Sequence, residues 1–207
     1  MVSDTADMVS DTGDMVSDTE DMVSNDGTVH RCVVLVGPPG SGKTTVGRVL
    51  ARLLGVELRD TDQAIEVQQG QSISDIFMDA GEQRFRDLER AEVASSLASH
   101  TGVLSLGGGA VMDPATSAAL AGHTVVFLEV GIADAAKRVG FDQSRPLLAL
   151  NPRAQWIRMM DVRRPTYERL ATFSVQTAGR TPEDVAAEIV QRLNDQNDEG
   201  DRSPTDE

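Results

Sequence analysis

Lys43 and Thr44 close a glycine-rich run, Gly37-Pro38-Pro39-Gly40-Ser41-Gly42-Lys43-Thr44, that fits the pattern G-x-x-x-x-G-K-[ST] at every fixed position. Backbone N–H groups of such a loop can wrap a polyphosphate, and the helix that follows turns the positive end of its dipole toward the same anion. Lys43 would reach the β- and γ-phosphates, and the Thr44 hydroxyl would hold Mg²⁺. A glycine-rich turn that merely caps a helix is the structural alternative, but both flanks suit the chemistry. Binding of a nucleoside triphosphate is the expectation.

Further candidates follow along the chain. Asp60 and Asp62 stand two residues apart at the end of a short strand-like stretch, Val56 to Asp62. One acid there can hold magnesium-bound water and the other can accept a proton from a substrate hydroxyl. Capping of the next helix would explain one of them. Gly107-Gly108-Gly109 ends another apolar run, where a ligand could approach the backbone closely. Glu82 and Arg86 form an i,i+4 pair within a dense charge run, which by spacing alone reads as a solvated, salt-bridged helix face. Arg145 lies in a stretch without apolar periodicity, about 139–152, which suits a lid over transferring phosphate.

These residues need elements to position them. Short strand-like runs at 32–36, 56–62, 102–106, 124–129 and 173–175 predict five strands. Helical patterns lie between them: 45–54, from Gln63, 73–98 with a break near Gly81, after Asp113-Pro114, 132–139, and 153–171 with a break at Arg163–Tyr167. A last helix begins at Thr181-Pro182, with proline at the first helical position, and ends near Leu193. Strands alternating with helices predict an α/β three-layer sandwich, a parallel sheet covered on both faces.

The chain has 207 residues and a formal charge of −14, unevenly placed. Residues 1–29 carry eight acids and no Lys or Arg, and residues 194–207 carry six acids against Arg202 alone. The middle is nearly neutral, so no nucleic-acid surface is expected. Residues 1–28 repeat a seven-residue unit beginning Met-Val-Ser, whose adjacent apolar pair cannot form a coiled-coil seam. The domain expectation is therefore a disordered acidic tail over 1–29, a folded domain over 30–193, and a second disordered tail over 194–207. Cys32 is the single cysteine, which excludes a disulfide framework within the chain. With no long apolar span and no signal-peptide pattern, the reading is a cytoplasmic protein without membrane contact. A monomer is expected.

In combination the motifs resemble the shikimate kinase family, within the nucleoside-monophosphate-kinase-like group of P-loop folds. The resemblance runs from about residue 31 to 193 and rests on several stretches in one order. These are the P-loop, Asp60-Thr61-Asp62, Gly81-Glu82 with Phe85-Arg86 and Glu89, Gly107-Gly108-Gly109, Arg145-Pro146-Leu147-Leu148, and Arg163 with Pro165 and Tyr167.

The resemblance implies ATP-dependent phosphorylation of the 3-hydroxyl of shikimate, in the route to aromatic amino acids, on a five-stranded parallel sheet of order 2-3-1-4-5. It implies that Gly40, Ser41, Gly42, Lys43, Thr44 and Thr45 bind ATP, with Arg138 against the adenine and Arg145 on the phosphates from the lid. Thr44 and Asp60 would hold Mg²⁺. Asp62 would bind the shikimate hydroxyls and orient or deprotonate the attacking one, which makes Lys43, Asp62 and Arg145 the catalytic set. Arg86 and Arg163 would clamp the shikimate carboxylate, Glu89 would hold Arg86, and the backbone of Gly107, Gly108 and Gly109 would meet the substrate. Arg164 beside Arg163 leaves open which of the two meets the carboxylate, although the spacing to Pro165 and Tyr167 favours Arg163. Two other readings are a kinase for another polyol acid, such as gluconate, and a nucleotide-dependent regulatory protein that has lost its activity.

Overall fold

The computed structural model describes residues 32–139 and 151–200. Strand β1 (Val33–Val36) leads through the glycine loop into helix α1 (Lys43–Leu54). Then follow β2 (Leu58–Asp60), α2 (Thr61–Gln69), α3 (Ile73–Ser99), β3 (Val103–Ser105) and a 3₁₀ turn at Ala110–Met112. The chain continues through α4 (Pro114–Ala119), β4 (Thr124–Glu129), α5 (Ile132–Val139), α6 (Pro152–Leu170), β5 (Phe173–Gln176) and α7 (Pro182–Gly200). All strand pairs are parallel and the order is β2-β3-β1-β4-β5, as expected.

Alternation along each strand sends neighbouring side chains to opposite faces. Val34, Val36, Leu104, Val125 and Phe127 pack on one face with Val93, Trp156 and Tyr167. Val33, Leu35, Val103, Val126 and Leu128 pack on the other with Val46 and Leu50 of α1 and Ile189 of α7. Leu35 and Leu50 are fully buried, and burial of a leucine side chain is worth about 1.5–3 kcal/mol. A smaller cluster of Ile65, Ile76 and Phe85 ties α2 to α3.

Four expectations shift. Helix α1 begins at Lys43, because Gly42 already supplies the left-handed turn (φ 92°) before it. Strand β2 is only three residues long, because the Asp60 side chain caps α2 and ends the strand. Asp62 therefore sits on the first turn of α2 and not on a strand. Helix α6 is continuous through Pro165; Trp156 and Met160 before the proline and Tyr167 after it are buried in the core and hold both halves in line. Helix α7 runs past Leu193 to Gly200, whereas the break expected in α3 occurs at Gly81 (φ 82°, ψ 169°). Among the described residues no helix is long and apolar enough to cross a membrane. The central part of the expected lid, with Arg145, lies outside the described residues; of its edges, Val139 ends α5 and Pro152 starts α6.

Candidate active site

The loops after β1 and β3 meet at the carboxyl end of the sheet, where open α/β folds place their ligand crevice. A Cβ on Gly108 would stand 3.3 Å from the carbonyl of Gly37, so the two loops lie against each other. In the phosphate loop Gly40 has φ 83°, and a Cβ there would stand 2.9 Å from the backbone of Ala135. Only glycine fits both conditions. Lys43 Nζ bridges the loop's own carbonyls, donating to Gly37 at 2.8 Å and Pro38 at 3.2 Å. Desolvation lowers the Lys43 ammonium to about 8, against the opposing pull of Asp62 and Asp60.

Asp60 uses its two oxygens separately. Oδ1 accepts from the backbone N–H of Asp62 at 3.1 Å and of Gln63 at 3.4 Å, which starts α2. Oδ2 accepts from the Thr44 hydroxyl at 2.7 Å and the Ser105 hydroxyl at 3.0 Å. Capping and a place beside Thr44 are thus compatible in one side chain. Two hard oxygens side by side at the phosphate loop suit Mg²⁺, which takes few protein ligands and completes its shell with phosphate and water. The described residues contain no group of three or more His, Cys, Asp or Glu that could hold a metal.

Asp62 is half-buried, and its Oδ1 is a buried oxygen without a hydrogen-bond partner. Desolvation, then the charges of Asp60 and Glu89, raise its carboxyl to about 6, while Lys43 opposes the rise. Gly107 leaves the room for this arrangement: a Cβ there would fall 2.5 Å from Asp62 Oδ1 and 2.7 Å from Glu89 Oε1. Glu89 is buried and accepts from Arg86 Nη1 at 2.7 Å. Arg86 also pairs with Glu82 at 3.3 Å, where Glu82 is 69% exposed. The charge run is a solvated face at Glu82 and a buried pair at Glu89, so spacing alone described half of it.

Arg86 and Arg163 line one cavity of about 470 Å³ with Gly109, Glu82 and Met112. Arg164 turns away and pairs with Glu129 at 2.8 Å and Glu168 at 2.6 Å. On the other side of the phosphate loop, Ser41, Gly42, Thr45 and Arg138 line a second cavity, of about 200 Å³, with Thr177 and Arg180. Arg138 donates to the carbonyls of Gly40 (3.1 Å) and Thr177 (2.6 Å), tying the loop to the β5–α7 connection. Sequence reading missed Ser105, Thr177 and Trp156, three residues outside any motif. Trp156 donates to the Pro39 carbonyl at 3.1 Å.

A phosphate loop on a 2-3-1-4-5 sheet, with a polar two-arginine cavity beside it, defines a P-loop kinase. The model of the family described as shikimate kinase matches residues 39–194. A shikimate kinase of Salinispora arenicola is 60% identical over 160 residues, covering 77% of this chain and 96% of that protein. The shikimate kinase of Mycobacterium tuberculosis is 55% identical over 161 residues, covering 77% and 92%. Among solved structures, a shikimate kinase from Acinetobacter baumannii in complex with shikimate superposes with a TM-score of 0.75 at 34% identity, over 80% of this chain and 94% of that one. The chain belongs to the shikimate kinase family.

Proposed function

We propose that the chain transfers the γ-phosphoryl group of ATP to the 3-hydroxyl of shikimate, with ADP as the leaving group and no covalent enzyme intermediate. The hydroxyl oxygen forms the new P–O bond as the bond to the ADP oxygen breaks in line, and the hydroxyl proton goes to Asp62. A carboxyl near 6 is ionised at neutral pH and still basic enough for that step. The observation that supports the reading is a convergence on one turn: the orphaned Asp62 oxygen lies against Gly107, the phosphate-loop carbonyl of Gly37 against Gly108, and Arg86 of the Arg86–Arg163 cavity against Gly109.

In this reading Arg86 and Arg163 hold the shikimate carboxylate with planar paired donors, and Glu89 holds Arg86. The glycine turn 107–109 lets the ring approach the backbone. Lys43 exchanges its loop carbonyls for the phosphate oxygens and follows the charge that develops in transfer. Gly40 to Thr45 cradle the triphosphate, and the cavity at Arg138 receives the adenine. Arg145, whose role comes from the family's motif alone, would meet charge on the transferring phosphate. Thr44 and Asp60 would hold Mg²⁺, which would supply charge neutralisation on the phosphates. The protein acts as a cytoplasmic monomer.

The test is ADP release with shikimate, with gluconate and with no acceptor. Release dependent on shikimate alone supports the reading. Release with gluconate alone, or release that no acceptor accelerates, would replace it.

A further inference from the structure

Helix α6 reaches both ligand loops with one face. Trp156 bonds the Pro39 carbonyl of the phosphate loop. Eleven residues on, about three helical turns, the Tyr167 hydroxyl donates to the Gly108 carbonyl. Arg163, one turn before Tyr167, lines the cavity with Arg86, and its Nη1 would stand 3.7 Å from a Cβ on Gly108. Tyr167 is fully buried and its ring stacks on Phe127 of β4, with centroids 5.1 Å apart.

A phenol offers one proton and two lone pairs. Here the proton is given to the Gly108 carbonyl, so the oxygen fixes the direction of that peptide beside the Arg163 guanidinium. Packing against Phe127 does not need that oxygen, because a phenylalanine ring would stack equally well. The hydroxyl therefore has a separate task from the ring.

We propose that Tyr167 is a positioning residue of the acceptor site, its hydroxyl holding the Gly108 carbonyl, beside the Arg163 guanidinium, where the shikimate ring arrives. The inference rests on the assignment of Arg163 and the glycine turn to the acceptor. Tyr167→Phe keeps the stack and removes only the oxygen. The KM for shikimate should rise about tenfold, with the KM for ATP and kcat each within about twofold, as expected when one buried polar partner is lost.

Tyr167 is also the only tyrosine in the sequence, so growth on 3-fluorotyrosine labels this position alone. Its single ¹⁹F resonance should move when shikimate is added without nucleotide, and stay in place when ADP is added without shikimate. Unlabelled wild-type turnover of shikimate is the reference. Without it, the reading of the site falls; with it, a Tyr167→Phe protein whose shikimate KM stays within about twofold overturns the positioning role. Equal rises in both KM values, or a resonance that answers equally to ADP and shikimate, would overturn it as well, by showing a purely structural part. Should Tyr167→Phe fail to accumulate, the fluorotyrosine protein, which retains hydroxyl and ring, decides the question by itself.

Discussion

Thr44 and Asp60 are bonded hydroxyl to carboxylate at 2.7 Å, across the gap between the phosphate loop and the end of β2. Because the second Asp60 oxygen caps α2, the helix start sets the direction of the carboxylate toward the Thr44 hydroxyl, where Mg²⁺ is proposed to bind. Asp60→Asn keeps an oxygen for the cap and removes the charge. The Mg²⁺ concentration for half-maximal turnover should rise at least about tenfold, with the melting temperature lowered by less than about 4 °C. A magnesium titration at saturating ATP and shikimate measures this; an unchanged requirement would remove Asp60 from the metal site.

Asp62 should make the enzyme more active and less stable as pH rises. Its carboxyl lies at about 6 in the folded protein against 3.8 for the ordinary group. The folded state thus binds the proton more tightly than the unfolded chain. The associated stability is fully present below 3.8 and is lost as pH rises through about 6. Asp62→Asn should therefore be more stable than wild type at pH 7, by up to about 3 kcal/mol, while turnover collapses. Urea denaturation at pH 4.5 and pH 7 checks the first half: an advantage equal at both values would contradict the assigned carboxyl shift.

Lys43→Ala removes the point charge that follows the γ-phosphoryl group. Turnover should fall at least about a hundredfold, about 3 kcal/mol in barrier. In the wild type the free-enzyme profile of kcat/KM should be bell-shaped, rising through about 6 as Asp62 ionises and falling through about 8 as Lys43 loses its proton. Near-normal rates for Lys43→Ala would place phosphoryl transfer away from this loop.

Much of this site was legible because motifs fix local geometry. The phosphate loop, the Asp60–Asp62 pair and the glycine turn each lie where the chain changes element, and sequence marks such points with glycine and aspartate. The buried Arg86–Glu89 pair was not legible from spacing, because an i,i+4 charge pair looks the same whether or not a buried Glu89 waits one turn on. Ser105, Thr177 and Trp156 were invisible for another reason: their partners, Asp60, Arg138 and Pro39, are 45, 39 and 117 residues away. The continuity of α6 through Pro165 was likewise a tertiary outcome, since local propensity argues for a break.

Gly107→Ala should separate folding from catalysis. Its Cβ would meet the side-chain oxygens of Asp62 and Glu89 at 2.5 and 2.7 Å. Side-chain ends can swing aside, so the fold should survive, with a stability loss of about 1–3 kcal/mol. The displaced Asp62 carboxylate should nevertheless lower kcat at least about a hundredfold, since misplacement near 1 Å is enough for that. A folded Gly107→Ala enzyme with ordinary kcat would show that Asp62 does not act from its present position.

Arg86 tests whether the helix charges serve the acceptor or merely solvate a surface. Its two partners differ: Glu82 is 69% exposed, whereas the Glu89 side chain is only 5% exposed. An exposed pair contributes about 0–1 kcal/mol, so Glu82→Ala should leave shikimate affinity within about threefold. Arg86→Ala removes a cavity-lining donor and leaves Glu89 buried without its cation. Shikimate binding should weaken by about 2–4 kcal/mol. Calorimetry with Mg-ATP alone should show affinity within about twofold of wild type, because Arg86 lines a different cavity from the one at Ser41, Gly42 and Thr45 proposed for the nucleotide. Arg86→Lys should recover only part of the loss, because an ammonium cannot offer the planar pair of donors that a carboxylate matches. Full recovery by lysine would mean that charge alone matters at this position. Unchanged shikimate affinity in Arg86→Ala would mean that the Arg86–Glu89 pair belongs to the fold of α3.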